Sequence, residues 1–294
     1  MTAFHLRIPL RWVDLDAQGH VNNAAVVDYL QEARVRFLLG GPNAHLLGNG
    51  VIVVAHQVRY LGAIEYSPTP LDVRLRVGDV GASRFVVGYD LAQHGRTVAH
   101  AATNLCVFDF ETGRPARMTA AERAWFAEHA GPLEPFEPLG AWEVGPGAHE
   151  YPLSVRWSDL DSYGHVNNAT LFGYFGEARV ALTSALLPAA IRSAPDAPVP
   201  HVWLVARQDV RYLAQLEHRM EEYRVRTSVA ELGRTSATLV AQVEDPRDGT
   251  VFVRAYTVLV HADADGRPSP LPDELRAEHV AHPAVLAATP RARW

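Results

Sequence analysis

Residues 11–35 recur at 156–180, with 16 of the 25 positions identical. The shared pattern runs Arg-Trp-x-Asp-Leu-Asp-x-x-Gly-His-Val-Asn-Asn-Ala, then Tyr29 or Tyr174, then Glu-Ala-Arg-Val. The likeness resumes downstream: Val58-Arg59-Tyr60-Leu61 matches Val210-Arg211-Tyr212-Leu213, and Glu65 matches Glu217. Between these blocks the offset grows from 145 to 152, so the second copy carries seven extra residues. They fall in the Pro/Ala-rich stretch 187–200, a loop composition. Near the end of each copy, Gly113-Arg114-Pro115 matches Gly266-Arg267-Pro268. A repeat of this length is one structural unit used twice. The chain of 294 residues is therefore expected to hold two domains, over 1–130 and 150–294, joined by a Pro/Gly-rich linker over 131–149.

Each copy predicts the same order of elements. A strand (about 5–13 and 150–157) leads into a polar loop, then into a helix (about 23–39 and 168–186). Asn22 or Asn23 is a good cap for the first helix, and Asn167 or Asn168 for the second, because a short side-chain oxygen accepts an orphan backbone N–H. Both helices are apolar around most of their circumference, which is the pattern of a buried helix. Four strand-like segments follow in each copy, near 51–61, 70–80, 84–93 and 97–109, and near 202–213, 220–230, 234–244 and 250–261. Leu71–Val77 alternates strictly, as a half-buried strand does. Short turns between long strands imply antiparallel pairing. The expected fold class is α+β: in each unit, one buried helix wrapped by an antiparallel sheet of about five strands. A short surface helix is predicted over 119–129.

Composition narrows the chemistry. All 27 basic residues are arginine, so lysine Schiff-base and phosphate-loop lysine chemistry is excluded. A net charge of −6 gives no electrostatic footprint for nucleic acid or an anionic membrane. No apolar run approaches the roughly 20 residues of a membrane span, and MTAFHLRIPLRW has no signal-peptide pattern. A single cysteine, Cys106, lies in an apolar strand and reads as buried and structural. These features predict a cytoplasmic protein. The 14 histidines show no metal spacing, and Asp16 with His20 alone cannot close a zinc site, so no metal is expected.

The polar loop concentrates Asp14, Asp16, Gly19, His20, Asn22 and Asn23 just before a helix start. Such an end carries orphan N–H groups and about half a positive charge, which suits a developing oxyanion. A carboxylate beside those donors can attack a carbonyl or deprotonate a water that does. Gly19, and Gly164 in the second copy, would let substrate approach the backbone. Acyl transfer to water fits this set. Loop capping fits it as well, since Asp-x-Asp before a helix is a common turn device.

The motif Asp-Leu-Asp-x-x-Gly-His-Val-Asn-Asn, followed by a helix carrying Glu-Ala-Arg, resembles the hot-dog thioesterases. It is most similar to the 4-hydroxybenzoyl-CoA and acyl-CoA thioesterase group, and is also similar to the acyl-carrier-protein thioesterases. The resemblance covers nearly the whole chain, twice. It implies a tandem, or double, hot-dog fold and an acyl-CoA or acyl-carrier-protein thioester as substrate. CoA would enter only as part of the substrate, with no separate cofactor. It leaves assembly into an oligomer of double units open. It further implies that Asp16 and Asp161 are the catalytic carboxylates. Asn23 and Asn168 stand where a backbone N–H polarises the thioester carbonyl. His20 and His165 stand where a histidine assists in the carrier-protein branch. That branch also has an asparagine two residues after the aspartate; here Gln18 and Tyr163 stand instead.

Asp14 and Asp159 read as structural loop caps. Glu32-Ala33-Arg34 and Glu177-Ala178-Arg179 read as ion-pairing groups between the two units, ahead of a role for the arginines in holding the CoA phosphates, with Glu32 and Arg36 spaced as an i,i+4 pair. Glu65 and Glu217 are candidates to touch substrate, against the plainer reading of solvated strand ends. Tyr60 and Tyr212 read as sheet or interface aromatics. Two other functions stay open at this point: a hydratase or dehydratase on the same fold, and a non-catalytic acyl-CoA binder.

Overall fold

The computed structural model describes residues 3–16, 18–187, 202–263 and 265–287. The described residues form two compact units, the first ending at Glu137 and the second beginning at Pro138.

In the first unit β1 (Phe4–Ile8) is followed by a 3₁₀ turn at Trp12–Asp14 and by α1 (Asn23–Leu39). A short α2 (Leu46–Asn49) leads to β2 (Val51–Tyr60), β3 (Leu71–Val80), β4 (Arg84–Gln93), β5 (Arg96–Asp109) and the two-residue β6 (Arg114–Pro115). Last comes α3 (Ala120–Glu128). The main strands pair antiparallel in the order β1-β3-β4-β5-β2. The alternation of β3 is realised directly: Leu71, Val73, Leu75 and Val77 are buried, while Asp72 and Arg74 are exposed. α1 buries Val26, Val27, Tyr29, Leu30, Ala33, Phe37 and Leu38. Phe37 stacks on Trp125 of α3 at 4.6 Å, and Phe126 stacks on Phe85 of β4 at 4.3 Å. Full burial of an aromatic of this size contributes about 2–3 kcal/mol. α3 is held at its start by a capping box between Thr119 and Glu122.

The second unit begins with β7 (Trp142–Glu143) and β8 (His149–Leu153), then a 3₁₀ turn at Trp157–Asp159 and α4 (Thr170–Leu186). β9 (Val202–Tyr212), β10 (Tyr223–Leu232), β11 (Ser236–Glu244) and β12 (Val251–Ala262) follow, then α5 (Asp273–Ala281) and β13 (Val285–Leu286). Its sheet has the matching order β8-β10-β11-β12-β9. Leu182 of α4 joins Val229, Leu239, Leu259 and Leu275 in one core.

Several details differ from the sequence expectation. β1 and β8 end at Ile8 and Leu153 because the chain turns into the 3₁₀ segment that carries Asp14 or Asp159. α4 starts at Thr170, and Asn168 lies in the turn before it. α5 and the β7–β13 pair carry too little apolar pattern to be read in advance. The stretch 131–149 makes fixed contacts: Gly131 N–H bonds Val77 C=O at 3.0 Å, and β7 pairs with β13. Arg34 is buried with its guanidinium donating to Tyr89 Oη at 3.4 Å, inside the first unit. The Glu32–Arg36 pair does form, at 2.5 Å. Cys106 is buried, its thiol donating to the Val107 carbonyl. The seven-residue insertion beyond Leu187 lies outside the described residues. Among the described residues no helix is long and apolar enough to cross a membrane.

Candidate active site

The polar loop is a closed turn with a left-handed corner. Gly19 N–H donates to Asp16 C=O at 3.0 Å, and Asp16 N–H donates to His20 C=O at 2.8 Å. Gly19 sits at φ +81° and Gly164 at +79°. A side chain at either position is strained by its own backbone, which gives the glycine a conformational reason to be there. The second loop repeats the bonds: Gly164 N–H to Asp161 C=O at 3.1 Å and Asp161 N–H to His165 C=O at 2.8 Å.

The turn aims its own amides at the second aspartate. Asp16 Oδ1 accepts from Gln18 N–H at 2.8 Å and from His20 N–H at 3.2 Å. Asp161 Oδ1 accepts from Tyr163 N–H at 2.8 Å and from His165 N–H at 3.3 Å. Among the described residues no group bonds to Oδ2 of either carboxylate, and both are half-buried. Each aspartate is thus held by one oxygen and presents the other. His20 and His165 reach their aspartates through the backbone amide, so the residues at 18 and 163 can differ without altering this contact.

The first aspartate has a different task. Asp14 is buried and accepts from Arg11 Nε and Nη2 at 2.9 and 2.8 Å and from Tyr29 Oη at 2.6 Å. Burial alone opposes its ionisation; the hydrogen bonds from Arg11 and Tyr29 and the Arg11 charge outweigh that and hold the carboxyl below its ordinary value. The same arrangement pushes the Tyr29 hydroxyl well above its usual range, through burial first and the bond to Asp14 second. Asp14 C=O also accepts Asn22 N–H at 2.8 Å, which ties the loop to the helix start. In the second unit Asp159 accepts Tyr174 Oη at 2.5 Å and Arg156 N–H at 2.8 Å. These aspartates are structural, as their sequence context suggests.

α1 is capped by Asn22; α4 has Ala169 at its cap position and no side-chain cap, so neither Asn167 nor Asn168 caps the second helix as expected, because the chain makes a further turn before Thr170. Asn22 Oδ1 accepts Ala24 N–H, and Asn167 Oδ1 accepts Ala169 N–H, both at 2.9 Å. Asn23 opens α1, and its carbonyl accepts from Tyr60 Oη at 2.8 Å; the Asn168 carbonyl accepts from Tyr212 Oη at 2.8 Å. These tyrosines latch the first turn of the helix to the sheet. Sequence reading placed them only as sheet or interface aromatics; their recurrence beside the Arg-Tyr-Leu block was the available signal. Glu65 is brought beside the loop: its backbone bridges His20, as that of Glu217 bridges His165. Gln93 clamps the Glu65 peptide on both sides, at 3.0 and 2.6 Å. Both glutamate residues are exposed.

The two loops therefore repeat one device, a carboxylate held by the amides of its own turn in the loop that precedes a helix. The sequence signature of the Thioesterase-like superfamily matches residues 10–126 and again 155–278. The chain belongs to that superfamily. It is accordingly a thioester hydrolase. The Bacillus subtilis (strain 168) protein YsmA is 29% identical over 122 residues, spanning 42% of this chain and 78% of its own. The 12:0-ACP thioesterase of Umbellularia californica shares the fold, with a TM-score of 0.66 at 15% identity, covering 88% of this chain and 98% of that one. An acyl-ACP thioesterase of Bacteroides thetaiotaomicron has a TM-score of 0.62 at 12% identity, covering 87% and 96%. These likenesses give a hot-dog-type thioesterase fold with two repeats.

Proposed function

We propose that this hydrolase cleaves acyl thioesters of CoA or of an acyl carrier protein, using Asp16 and Asp161 as nucleophile or general base. The observation that supports the reading most is the half-engaged carboxylate, found in both units: two amide N–H groups fix Oδ1, and no group among the described residues bonds Oδ2. An oriented carboxylate can attack the thioester carbon, or take a proton from the water that does. Backbone N–H groups at the helix starts, at Asn23 and Asn168, stabilise the tetrahedral oxygen. His20 and His165 hold the carboxylate through their amides and orient water with their rings. Gly19 and Gly164 keep the turn free of a side chain where the acyl group arrives. Glu65 and Glu217, whose backbones bridge His20 and His165, meet the thiol arm in this reading. The reaction consumes water and yields a free acid and a free thiol, so no cofactor is required. In each unit α1 or α4 serves as the central helix, and the acyl chain runs between it and the sheet.

The test is thiol release from a series of acyl-CoA and acyl-carrier-protein thioesters, by the wild type and by Asp16→Asn, Asp161→Asn and the double variant. Wild-type turnover that the double variant loses supports the assignment. A double variant with the wild-type rate refutes it.

A further inference from the structure

Folding removes large apolar side chains from water, so a tryptophan left exposed at the same place in both copies of a repeat calls for another reason. Trp12 is 74% exposed and Trp157 76%. Each opens the 3₁₀ segment that leads into the loop of Asp16 or Asp161. The backbone beneath Trp157 is fixed: Asp159 N–H donates to Arg156 C=O at 3.0 Å, and Asn167 N–H to Asp159 C=O at 2.8 Å. The Trp157 indole meets the His218 ring edge to face at 5.5 Å. His218 follows Glu217, whose backbone bridges His165, and Leu216 C=O accepts Val166 N–H at 2.9 Å. The indole is thus a plate held at the rim of the Asp161 loop. In the first unit Tyr66 takes the place of His218 in the repeat, and it too is exposed.

The arginine before each tryptophan is used differently. Arg11 gives Nε and Nη2 to Asp14, and Asp28 adds a second negative charge near it. In the second unit Gly173 stands in the place of Asp28. Asp159 takes the Arg156 backbone N–H and the Tyr174 hydroxyl instead. The exposed Arg156 guanidinium makes no ion pair among the described residues. The second loop therefore carries an uncommitted cation and an indole on adjacent residues, and the first carries the indole alone. Such a pair suits a ligand in which a branched apolar group adjoins a phosphate: the apolar group packs on the ring, and the guanidinium forks onto the phosphate oxygens. The phosphopantetheine arm, on which CoA and acyl carrier proteins both present a thioester, is built that way. Its gem-dimethyl carbon is next to the phosphate ester.

We propose that Arg156 and Trp157 are positioning residues of the second site, with the indole against the gem-dimethyl group and the guanidinium on the adjoining phosphate. This inference rests on the thioester reading above. The first site, with Arg11 engaged by Asp14, holds the arm without reading its phosphate.

The test titrates the full chain with pantetheine, 4′-phosphopantetheine and CoA by calorimetry. The wild type should bind 4′-phosphopantetheine about tenfold tighter than pantetheine at one site per chain. Arg156→Gln should remove that difference, and Arg156→Lys should restore part of it. Trp157→Ala should weaken binding there about fivefold. In thiol release on an Asp16→Asn background, Arg156→Gln should raise KM about tenfold and keep kcat. Whether KM rises with acyl-CoA, with acyl-carrier protein or with both tells which substrate brings the arm. Thermal unfolding checks that each variant keeps its fold. Equal affinity of the wild type for the plain and phosphorylated arm overturns the proposal. So does an Arg156→Gln variant that keeps the difference, or a Trp157→Ala variant that binds like the wild type. Failure of the thioester reading shows separately, as a wild type that binds the arm and releases no thiol.

Discussion

In the first unit Arg11 grips Asp14 with two hydrogen bonds; in the second, Arg156 stands at the same place in the repeat and reaches Asp159 only through its backbone N–H. The turns that hold Asp16 and Asp161 nevertheless agree in every hydrogen bond, within 0.1 Å. Backbone donors set these turns, so they survive changes of neighbouring side chains. The side-chain support around them is free to drift, and it has: Tyr163 stands at the place of Gln18 in the repeat, and Gln93, which clamps Glu65, is replaced by Asp245, which pairs with Arg219 and Arg247. The comparison teaches that the geometry of the loop carboxylates and its scaffold are separable.

The largest effect should come from the aspartates. The double variant Asp16→Asn/Asp161→Asn should lose roughly a thousandfold in kcat/KM. Each single variant should about halve the rate if the sites are equal. If Asp161→Asn alone keeps the full rate, the second loop is a silent copy and the equivalence fails at the chemical level.

Next in size is the support. Asp14→Ala strands the buried Tyr29 hydroxyl and should cost about 3 kcal/mol in urea unfolding, against about 1–2 kcal/mol for the less buried Asp159→Ala. Equal losses would erase the difference drawn between the two supports. The Asp14 contribution also has a pH signature. Its folded value is lowered, so the stabilisation is complete above the unfolded value of about 4 and fades as pH falls through the lower folded value. The stability gap between wild type and Asp14→Asn should therefore be flat at neutral pH and shrink on acidification below about pH 4. A gap that widens with acid contradicts the assignment.

The smallest effects should be the helix caps. Asn22→Ala should cost about 1 kcal/mol and Asn167→Ala less, because Asn22 caps α1 whereas Asn167 bonds the Ala169 N–H in the turn before α4. Equal losses in urea unfolding would show that α4, which starts only at Thr170 after two further turn residues, leans on Asn167 as α1 leans on Asn22.

Much of the architecture could be read in advance. The duplication, the apolar helices and the strict alternation of Leu71–Val77 point to two α+β units, since periodicity reports burial directly. The separate duties of Asp14 and Asp16 were legible only as a tendency. Telling them apart takes Tyr29, fifteen residues away, and the positive-φ glycine that turns amides toward Asp16. The latching tyrosines Tyr60 and Tyr212, the inward burial of Arg34 and the pairing of β7 with β13 depend on contacts between residues distant in the chain.

By itself, then, the sequence determined the repeat, the order of elements and the residues gathered at each helix start, because these follow from local spacing and side-chain chemistry. Only the tertiary structure decided which oxygen of each aspartate is engaged and which tyrosine fixes which helix. Those outcomes depend on which distant strands come into register, and a register is settled by the burial of the whole sheet, not by any one segment.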